Sequence, residues 1–315
     1  MFSCYDFKEF GQKVKKIRLS AGFTQKDVRN LIGLNEDTLR KIENGFVIPK
    51  YETLELLSSL YKKDLLIVLS KERKQNELYN LYNDLDDLII NFNQGTFEQL
   101  SLKLQLIHQQ HATDLISQHE ITQLKILLEA INDYFTDSQS DISYLIDKLL
   151  PTFSLVNNEY DFAKYSQFKY SIIEIRILIL IGLVYVKLEN IIKSNDILIF
   201  CLDYLLQVST LTIEMSKLII KIYYNISYNF HRLDNHQKAL DYAILGIEYT
   251  KNIQTTYSLP YLLARKAFAQ YFLNIEEYQN TFLQTVKLLE VMDDRESIDM
   301  FKDVALNRYG IKIDI

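Results

Sequence analysis

Three histidines in the middle of the sequence come nearest to the spacing of a metal site. His108 and His111 stand three residues apart on a predicted helix, and His119 follows them. A zinc site needs further ligands and a hydrogen-bonded partner for each imidazole, yet no Asp or Glu stands at a matching position. We therefore expect packed or solvated histidines and no metal.

The sequence also lacks the motifs of common catalytic sites. It has no glycine-rich phosphate loop, no G-x-S-x-G turn and no cysteine–histidine spacing typical of a nucleophile and its base. Cys4 and Cys201 lie far apart, so neither a disulfide framework nor a zinc site is indicated, and a reducing cytoplasm fits best. We expect a cytoplasmic protein that is not an enzyme and needs no cofactor.

The composition favours long, uninterrupted helices. With 8 Gly and 3 Pro among 315 residues, and 48% hydrophobic content, the chain has few breaks and enough apolar residues for two cores. The longest apolar run, residues 175–186, is shorter than the ~20 residues that span a bilayer. It therefore predicts a buried core helix and no membrane insertion, and the expected fold class is all-α.

Charge is divided unevenly along the chain. The net charge is −6, but residues 1–70 contain 12 Lys and Arg against 9 Asp and Glu, whereas residues 71–315 contain 23 against 32. A small basic module on a larger acidic body suits a protein that contacts DNA at one end only.

The N-terminal segment has the signals of short helices with capped ends. Thr24, with Asp27 three residues later, predicts the start of a helix that Gly33 ends. Asn35 predicts the start of another helix, which Gly45 ends. Apolar residues at helical spacing predict an earlier helix that ends before residue 23.

This arrangement resembles the Xre/Cro-type helix-turn-helix family over about residues 6–70. The resemblance implies a DNA-binding domain at 1–70 whose third helix enters the major groove. It also implies that Arg18 and Glu43 join the first and third helices, so that Glu43 has a structural role. The resemblance is carried by Arg18, Gly22, Thr24, Gln25, Gly33, Thr38, the sequence IENG at 42–45, Pro49 and the tail ETLELLSSLYKKDLLIVL.

The family pattern, carried over to this sequence, assigns nine residues to DNA. Gln25 and Lys26 start the second helix and are expected to meet phosphates, because free N–H groups and the positive end of the helix dipole attract anions. The resemblance implies Glu36, Asp37 and Lys41 at base edges, Thr38, Arg40 and Asn44 beside them, and Lys50 at the DNA backbone.

The acidic pair at the start of the third helix departs from the common family pattern. Glu36 and Asp37 would be repelled by phosphates, but a carboxylate at a base edge can accept from the amino group of cytosine. Alternatively, both acids stabilise the first turn through the helix dipole, by ~0.3–1 kcal/mol, and read no base. The sequence leaves both alternatives open.

The rest of the chain predicts helix after helix. Residues 71–92 are charged and amphipathic and predict a linker helix, and residues 93–315 predict a repeat domain. Three segments, starting at 181, 226 and 268, align at intervals of 45 and 42 residues. The aligned small positions are Gly182, Ser227 and Ala269, then Ser194, Ala239 and Thr281, with Tyr185, Phe230 and Phe272 as the aligned aromatic residues.

This pattern of small and aromatic residues resembles degenerate tetratricopeptide-type helix pairs stacked in a right-handed α-solenoid, with an irregular helical bundle as the alternative. The first helices of such pairs line a concave groove that binds extended peptides. Asn225 and Asn229, one turn apart, could pair with a peptide backbone, and Arg176, Lys221 and Lys266 could receive a carboxyl terminus. For each residue taken singly, an ordinary exposed side chain is the alternative. The groove candidates are Arg176, Lys187, Lys221, Tyr224, Asn225, Tyr228, Asn229, His231, Lys266, Gln270 and Asn274.

The whole architecture resembles the peptide-pheromone-responsive regulators of Gram-positive bacteria, of the PlcR, Rgg and PrgX type. The resemblance implies a cytoplasmic homodimer, double-stranded DNA as one partner, and a short signalling peptide in the groove. Two alternatives stay open at this point. One is a scaffold or anti-activator whose body binds a partner protein, and the other is a constitutive repressor without a peptide ligand.

Overall fold

The computed structural model describes residues 5–72, 81, 84, 85, 88, 94–110, 115–136 and 141–311. The chain divides into two compact units, residues 1–82 and 83–315. Most of the predicted linker helix at 71–92 lies outside the described residues, as do Cys4 and His111. The described residues are helical and contain no strand, and none of their helices is long and apolar enough to cross a membrane.

The N-terminal unit begins with short helices whose ends follow the sequence signals. Thr24 and Asp27 form a complete capping box, Gly33 ends the helix in the left-handed conformation, and the Asn35 side chain accepts from the backbone N–H of Asp37. These predicted caps are confirmed. The helices are α1 (Phe7–Ser20), α2 (Gln25–Ile32), α3 (Glu36–Glu43), α4 (Tyr51–Tyr61) and α5 (Leu65–Lys71).

The core of this unit forms where α1 crosses α3. Phe10, Val14, Leu39 and Ile42 are buried there, as the helical spacing predicts. Gly11 lies at the crossing, and a Cβ atom on it would stand 2.6 Å from the carbonyl oxygen of Glu43 and also against the carbonyl oxygen of Ile42. The two backbones approach this closely because Gly11 has no side chain.

The C-terminal unit is a succession of helices, in which six consecutive helices between residues 172 and 291 form three pairs. Within each pair the connecting turn is short, so the two helices run antiparallel. The bounds are α6 (Gln94–Gln110), α7 (Leu115–Thr136), α8 (Tyr144–Leu149), α9 (Pro151–Ser154), a 3₁₀ turn (Phe162–Gln167), α10 (Ile172–Lys187), α11 (Ile191–Leu206), α12 (Ile213–Arg232), α13 (His236–Asn252), α14 (Leu259–Phe272), α15 (Tyr278–Val291), α16 (Arg295–Asp303) and a π turn (Val304–Arg308).

The small residues that align in the sequence lie where paired helices touch. A Cβ on Gly182 would stand 3.3 Å from the Leu198 side chain of the partner helix, and the Ser227 hydroxyl donates to the Ala239 carbonyl at 2.7 Å. Phe272 stacks on His236 of the preceding pair, with ring centroids 4.5 Å apart. The predicted helix-pair packing is therefore confirmed, and the apolar run at 175–186 is a buried helix within α10.

A turn with the same backbone conformation recurs inside the pairs and was not predicted from the sequence. Glu189, Asp234 and Asn274 occupy equivalent places between the paired helices, and all three have φ between 55° and 59°. Asn190 and Asn235 follow the first two of these residues and cap the next helix. The recurring Leu-acid-Asn sequences at 188–190 and 233–235 carry this signal.

Gly11→Ala tests the helix crossing. Ala favours a helix by about 1 kcal/mol over Gly. Because the new Cβ meets backbone that cannot rotate away, we expect a net loss of roughly 1–3 kcal/mol in the unfolding free energy of the N-terminal unit. Urea unfolding with hydrogen exchange read on residues 5–72 measures it, and Gln12→Ala, exposed on the same helix, is the control. A stabilised Gly11→Ala protein would contradict the crossing geometry.

Candidate functional sites

A buried ion pair orders the N-terminal unit. Arg18 donates from Nε to Oε1 of Glu43 at 2.6 Å and from a terminal nitrogen to Oε2 at 3.1 Å, and both side chains are at most 5% exposed. Arg18 also donates to the Phe23 carbonyl oxygen at 2.8 Å. The hydrogen bonds that Arg18 donates to Glu43 raise the pKa of the Arg18 guanidinium. The pair between α1 and α3 implied by the family resemblance is thus present.

Gln25 is tied to the same pair. Its amide nitrogen donates to Oε2 of Glu43 at 2.8 Å, so the carboxylate receives donors from α1 and α2 while belonging to α3. A carboxylate that accepts several charged or amide hydrogen bonds offsets the cost of its burial. The start of α2 is therefore fixed relative to α3, and the Gln25 side chain is half-buried.

The other residues assigned to DNA belong to three segments of the unit. They come from the start of α2, from the outer face of α3 and from the loop before α4. Thr38 and Glu36 are half-buried. The exposed members are Lys26, Asp37, Arg40, Lys41, Asn44 and Lys50.

The acidic first turn of α3 is engaged in local ion pairs. Asp37 contacts Arg40 at 2.5 Å and Lys41 at 2.7 Å, and Glu36 lies 3.4 Å from Arg29 of α2. The pKa of the Asp37 carboxyl is lowered, mainly by the hydrogen bond from Lys41 and then by Arg40. Asp37 therefore forms ion pairs with two of the cations assigned to DNA, an arrangement that was not predicted from the sequence.

The eleven groove candidates differ widely in exposure. Five of them are buried: Arg176, Lys221, Asn229, His231 and Gln270. Four are half-buried: Tyr224, Asn225, Tyr228 and Lys266. Lys187 and Asn274 are exposed, and Asn274 lies in the left-handed turn between α14 and α15.

The two asparagines singled out for peptide backbone binding use their amide nitrogens within the fold. Asn229 donates to the Ser194 hydroxyl and to the Asn195 side-chain oxygen, both at 2.9 Å. Asn225 donates to the Lys221 carbonyl at 2.9 Å. The Asn229 side-chain oxygen is buried and accepts no hydrogen bond within the described chain. Asn229 thus joins the first pair to the second. A peptide could hydrogen-bond to Asn229 only through its buried side-chain oxygen, because the amide nitrogen is already used.

A cluster of rings and guanidinium groups lies on the side of α12 that faces α14 and the C-terminal turn. We define the tyrosine–arginine cluster as Tyr224, Tyr228, Arg265, Arg308 and Tyr309. Arg265 lies 5.1 Å from the Tyr224 ring centroid and 4.8 Å from that of Tyr228. Arg308 hydrogen-bonds to the Tyr228 side chain, which raises the pKa of its guanidinium, and lies 5.7 Å from the Tyr309 ring. Neither arginine is among the groove residues predicted from the sequence.

Two neighbouring groups extend this polar and aromatic surface. Lys187 lies 3.9 Å from the centroid of the Tyr134 ring and donates to the Tyr134 carbonyl oxygen. Burial raises the pKa of Tyr134 to about 12, and the nearby Tyr228 hydroxyl adds to the rise. Lys187, one of the predicted groove residues, thus lies beside Tyr134 of α7, which the sequence did not connect to it.

His231 is a core histidine that lies close to the cluster. Its ring packs on Phe272 and Tyr309, and its Nδ1 lies 3.1 Å from Nδ1 of His236. Burial lowers the pKa of His231 to about 4, with further lowering from Arg265, His236 and Arg308 against an opposing effect of Asp234. The imidazole is therefore neutral at pH 7. No group of three or more His, Cys, Asp or Glu able to hold a metal occurs among the residues that the structure describes.

Glu43→Ala tests the buried pair. It leaves the Arg18 charge buried without its partner, so we expect a loss of ~3–5 kcal/mol in the unfolding free energy of the N-terminal unit. The double variant Arg18→Met, Glu43→Leu removes both charges and is expected to be clearly more stable than Glu43→Ala. Urea unfolding compares them, with Glu52→Ala on the exposed face of α4 as the control. Equal losses in the single and double variants would argue against the pair as the ordering contact.

Comparison with known sequences identifies the N-terminal unit. Residues 14–68 match the helix-turn-helix family HTH_3. The HTH-type regulator YonR, derived from the SPbeta prophage of Bacillus subtilis (strain 168), is 28% identical over 95 residues, which cover 30% of this chain and 88% of that protein. ImmR of the same strain is 28% identical over 105 residues, covering 30% of this chain and 83% of ImmR.

Comparison with solved structures extends the likeness over both units. PlcR of Bacillus thuringiensis, in complex with the peptide PapR7 and DNA, aligns with a TM-score of 0.65 at 15% identity, covering 93% of this chain and 99% of PlcR. PrgX in a complex with iCF10 aligns with a TM-score of 0.58 at 14% identity, covering 95% of this chain and 97% of PrgX. The chain thus carries a helix-turn-helix domain of the kind found in transcriptional regulators, and it has the all-helical fold of PlcR and PrgX.

Proposed function

We propose that this protein is a cytoplasmic transcriptional regulator that binds operator DNA as a homodimer and responds to a short signalling peptide. The observation that carries the proposal is the union of a helix-turn-helix unit with a body of stacked helix pairs. PlcR, which shares this fold, was crystallised with both a peptide and DNA. The regulator acts by binding, not by catalysis.

The DNA contact follows from the charges around α3. Arg40 and Lys41 are exposed on this helix and Lys26 is exposed on α2, so phosphate contact releases counterions and gives salt-dependent affinity. Asn44 and Thr38 supply hydrogen-bonding groups for base edges. A single helix reads few base pairs, so two copies of the unit on two half-sites give the specificity that a regulator needs.

The peptide contact belongs to the surface formed by α12, α14 and the C-terminal turn. Tyrosines at this surface offer both apolar faces and hydroxyl groups, a combination common in recognition sites. Tyr224 and Tyr228 are half-buried there and so accessible to a ligand. By linkage, such a peptide regulates only if it binds the DNA-competent and DNA-incompetent forms with different affinities.

A constitutive repressor is the second candidate, and one observation favours it. The amide nitrogens of both groove asparagines are occupied by partners inside the fold. A body that only stabilises and dimerises the protein would have this property.

A scaffold is a further alternative. If the body binds a partner protein, we expect a stoichiometric complex and weak, salt-insensitive DNA binding.

Titration with synthetic peptides encoded beside the gene separates these candidates. For the peptide-regulated protein we expect at least one peptide to change the operator Kd about tenfold, a coupling of about 1.4 kcal/mol, and to raise the Tm. Tyr228→Ala should abolish the shift, whereas Gln237→Ala, on the exposed start of α13, should leave it intact. Operator binding that no peptide alters would favour the constitutive repressor.

Asp37→Ala tests the role of the acidic turn. If Asp37 only restrains Arg40 and Lys41, its removal frees two cations for phosphates. The slope of log K against log salt should then steepen by roughly 1–2, with the same site preference and a helix stability lower by ~0.3–1 kcal/mol. Binding to randomised operators across a salt series measures both quantities, and Glu52→Ala gives the same change in charge elsewhere. Relaxed preference at one base pair would instead assign base reading to Asp37.

A further inference from the structure

Two arginines from distant parts of the chain meet at one phenol ring. Arg265 comes from α14 and Arg308 from the π turn near the end of the described chain, and both contact Tyr228 of α12. Tyr224 and Tyr309 flank them, and the Phe268 ring lies 5.6 Å from the Arg265 guanidinium. Aromatic faces hold a guanidinium in place while its N–H donors stay directed outward in the plane of the guanidinium.

Neither arginine has an acidic partner among the residues that the structure describes. No carboxylate oxygen there lies within 4.0 Å of either guanidinium, although Arg18 and Arg232 both have such partners. Arg265 donates to the Tyr224 hydroxyl at 3.4 Å, and its Nε is buried and makes no hydrogen bond in the described chain. Each guanidinium has five N–H donors, so most of the donors of this pair remain available for a ligand. Their planar arrangement matches a planar carboxylate.

The surroundings favour an anion at this place. His231, packed on Tyr309, has its pKa lowered to about 4, first by burial and then in part by the positive charges of Arg265 and Arg308, and the same positive charge attracts an anion. Arg308 is exposed and Arg265 half-buried, whereas Arg176 and Lys221, which the sequence suggested for a carboxyl terminus, are 2% and 6% exposed. An entering carboxylate can therefore reach the arginine pair more readily than those two residues.

We propose that Arg265 and Arg308 form a carboxylate receptor that anchors the signalling peptide through its C-terminus or an Asp or Glu side chain. This inference rests on the proposed peptide-regulated function and specifies the chemistry of its ligand. The ring faces of Tyr224, Tyr309 and Phe268 border the arginines and suit an apolar or aromatic residue next to the anchored carboxylate. The tyrosine–arginine cluster thus selects peptides that have a free carboxylate next to an apolar or aromatic residue.

Four pools of random synthetic heptapeptides test the receptor. The pools combine a free or an amidated C-terminus with the presence or absence of Asp and Glu. Each pool is passed over the immobilised full-length protein, and retained peptides are quantified by mass spectrometry. We expect the pool that is amidated and free of Asp and Glu to be retained at least tenfold less than the best pool. The two intermediate pools show whether the C-terminus or a side chain supplies the carboxylate.

Matched variants locate the effect. Arg265→Gln with Arg308→Gln keeps polar side chains that can donate hydrogen bonds, although shorter ones, but removes both charges, and it should reduce the tenfold preference to less than threefold. Arg295→Gln with Lys302→Gln removes the same charge from exposed positions of α16 and should keep the preference. The single variant Arg308→Gln, at an exposed position, serves if the double variant is misfolded by circular dichroism, and it should at least halve the preference.

The outcomes distinguish the receptor from the function on which it rests. Retention of the amidated, acid-free pool as strongly as the others would overturn the receptor and leave peptide binding intact. A carboxylate preference that survives in the arginine variants would also overturn it. If the wild-type protein retains no pool at all, the proposed peptide response itself is refuted, and the receptor with it.

Discussion

The buried contact between Arg18 and Glu43 is the constraint on which the N-terminal unit depends. A guanidinium and a carboxylate in a dry core are tolerated only in a tightly paired, hydrogen-bonded arrangement. Glu43 belongs to α3, accepts from α1 through Arg18 and accepts from α2 through Gln25. One carboxylate therefore fixes three helices relative to one another. The exposed face of α3 has a defined orientation because its inner end is held in this way.

In the C-terminal unit, the corresponding constraint is the close approach of paired helices. The contacts at Gly182 and between Ser227 and Ala239 bring paired helices together where a larger side chain would separate them. Asn229 then links neighbouring pairs through Ser194 and Asn195. With pairs and neighbours fixed, α12 and α14 present side chains to the same surface. The tyrosine–arginine cluster is a consequence of this stacking.

Local signals in the sequence predicted much of the fold, whereas contacts between side chains on different helices were not predictable. The caps at Thr24 and Asn35 and the small residues of the pairs depend on neighbours within a few residues or on a repeated register. Arg265 was passed over in favour of its neighbour Lys266, because an error of one residue on a helix turns a side chain by about 100°. Arg308 lies outside the repeats, so no register pointed to it. The ion pairs of Asp37 depend on rotamers, which spacing alone does not specify.

The net charge of each unit is a poor guide to the charge at its candidate site. The basic N-terminal segment starts its α3 with two acids, and the acidic remainder, with nine more carboxylates than cations, contains the arginine pair at Tyr228. Charges in salt solution are screened over about 8 Å, so a ligand responds to the groups it touches more than to the total charge of the unit. Asp37 reduces the positive charge that α3 offers to phosphates, while the pair at Tyr228 offers an anion two cations without acidic competitors among the described residues. In the C-terminal unit the candidate site therefore carries a charge opposite in sign to the unit's total, whereas in the N-terminal unit two acids offset part of a positive site, and specificity arises from these local arrangements.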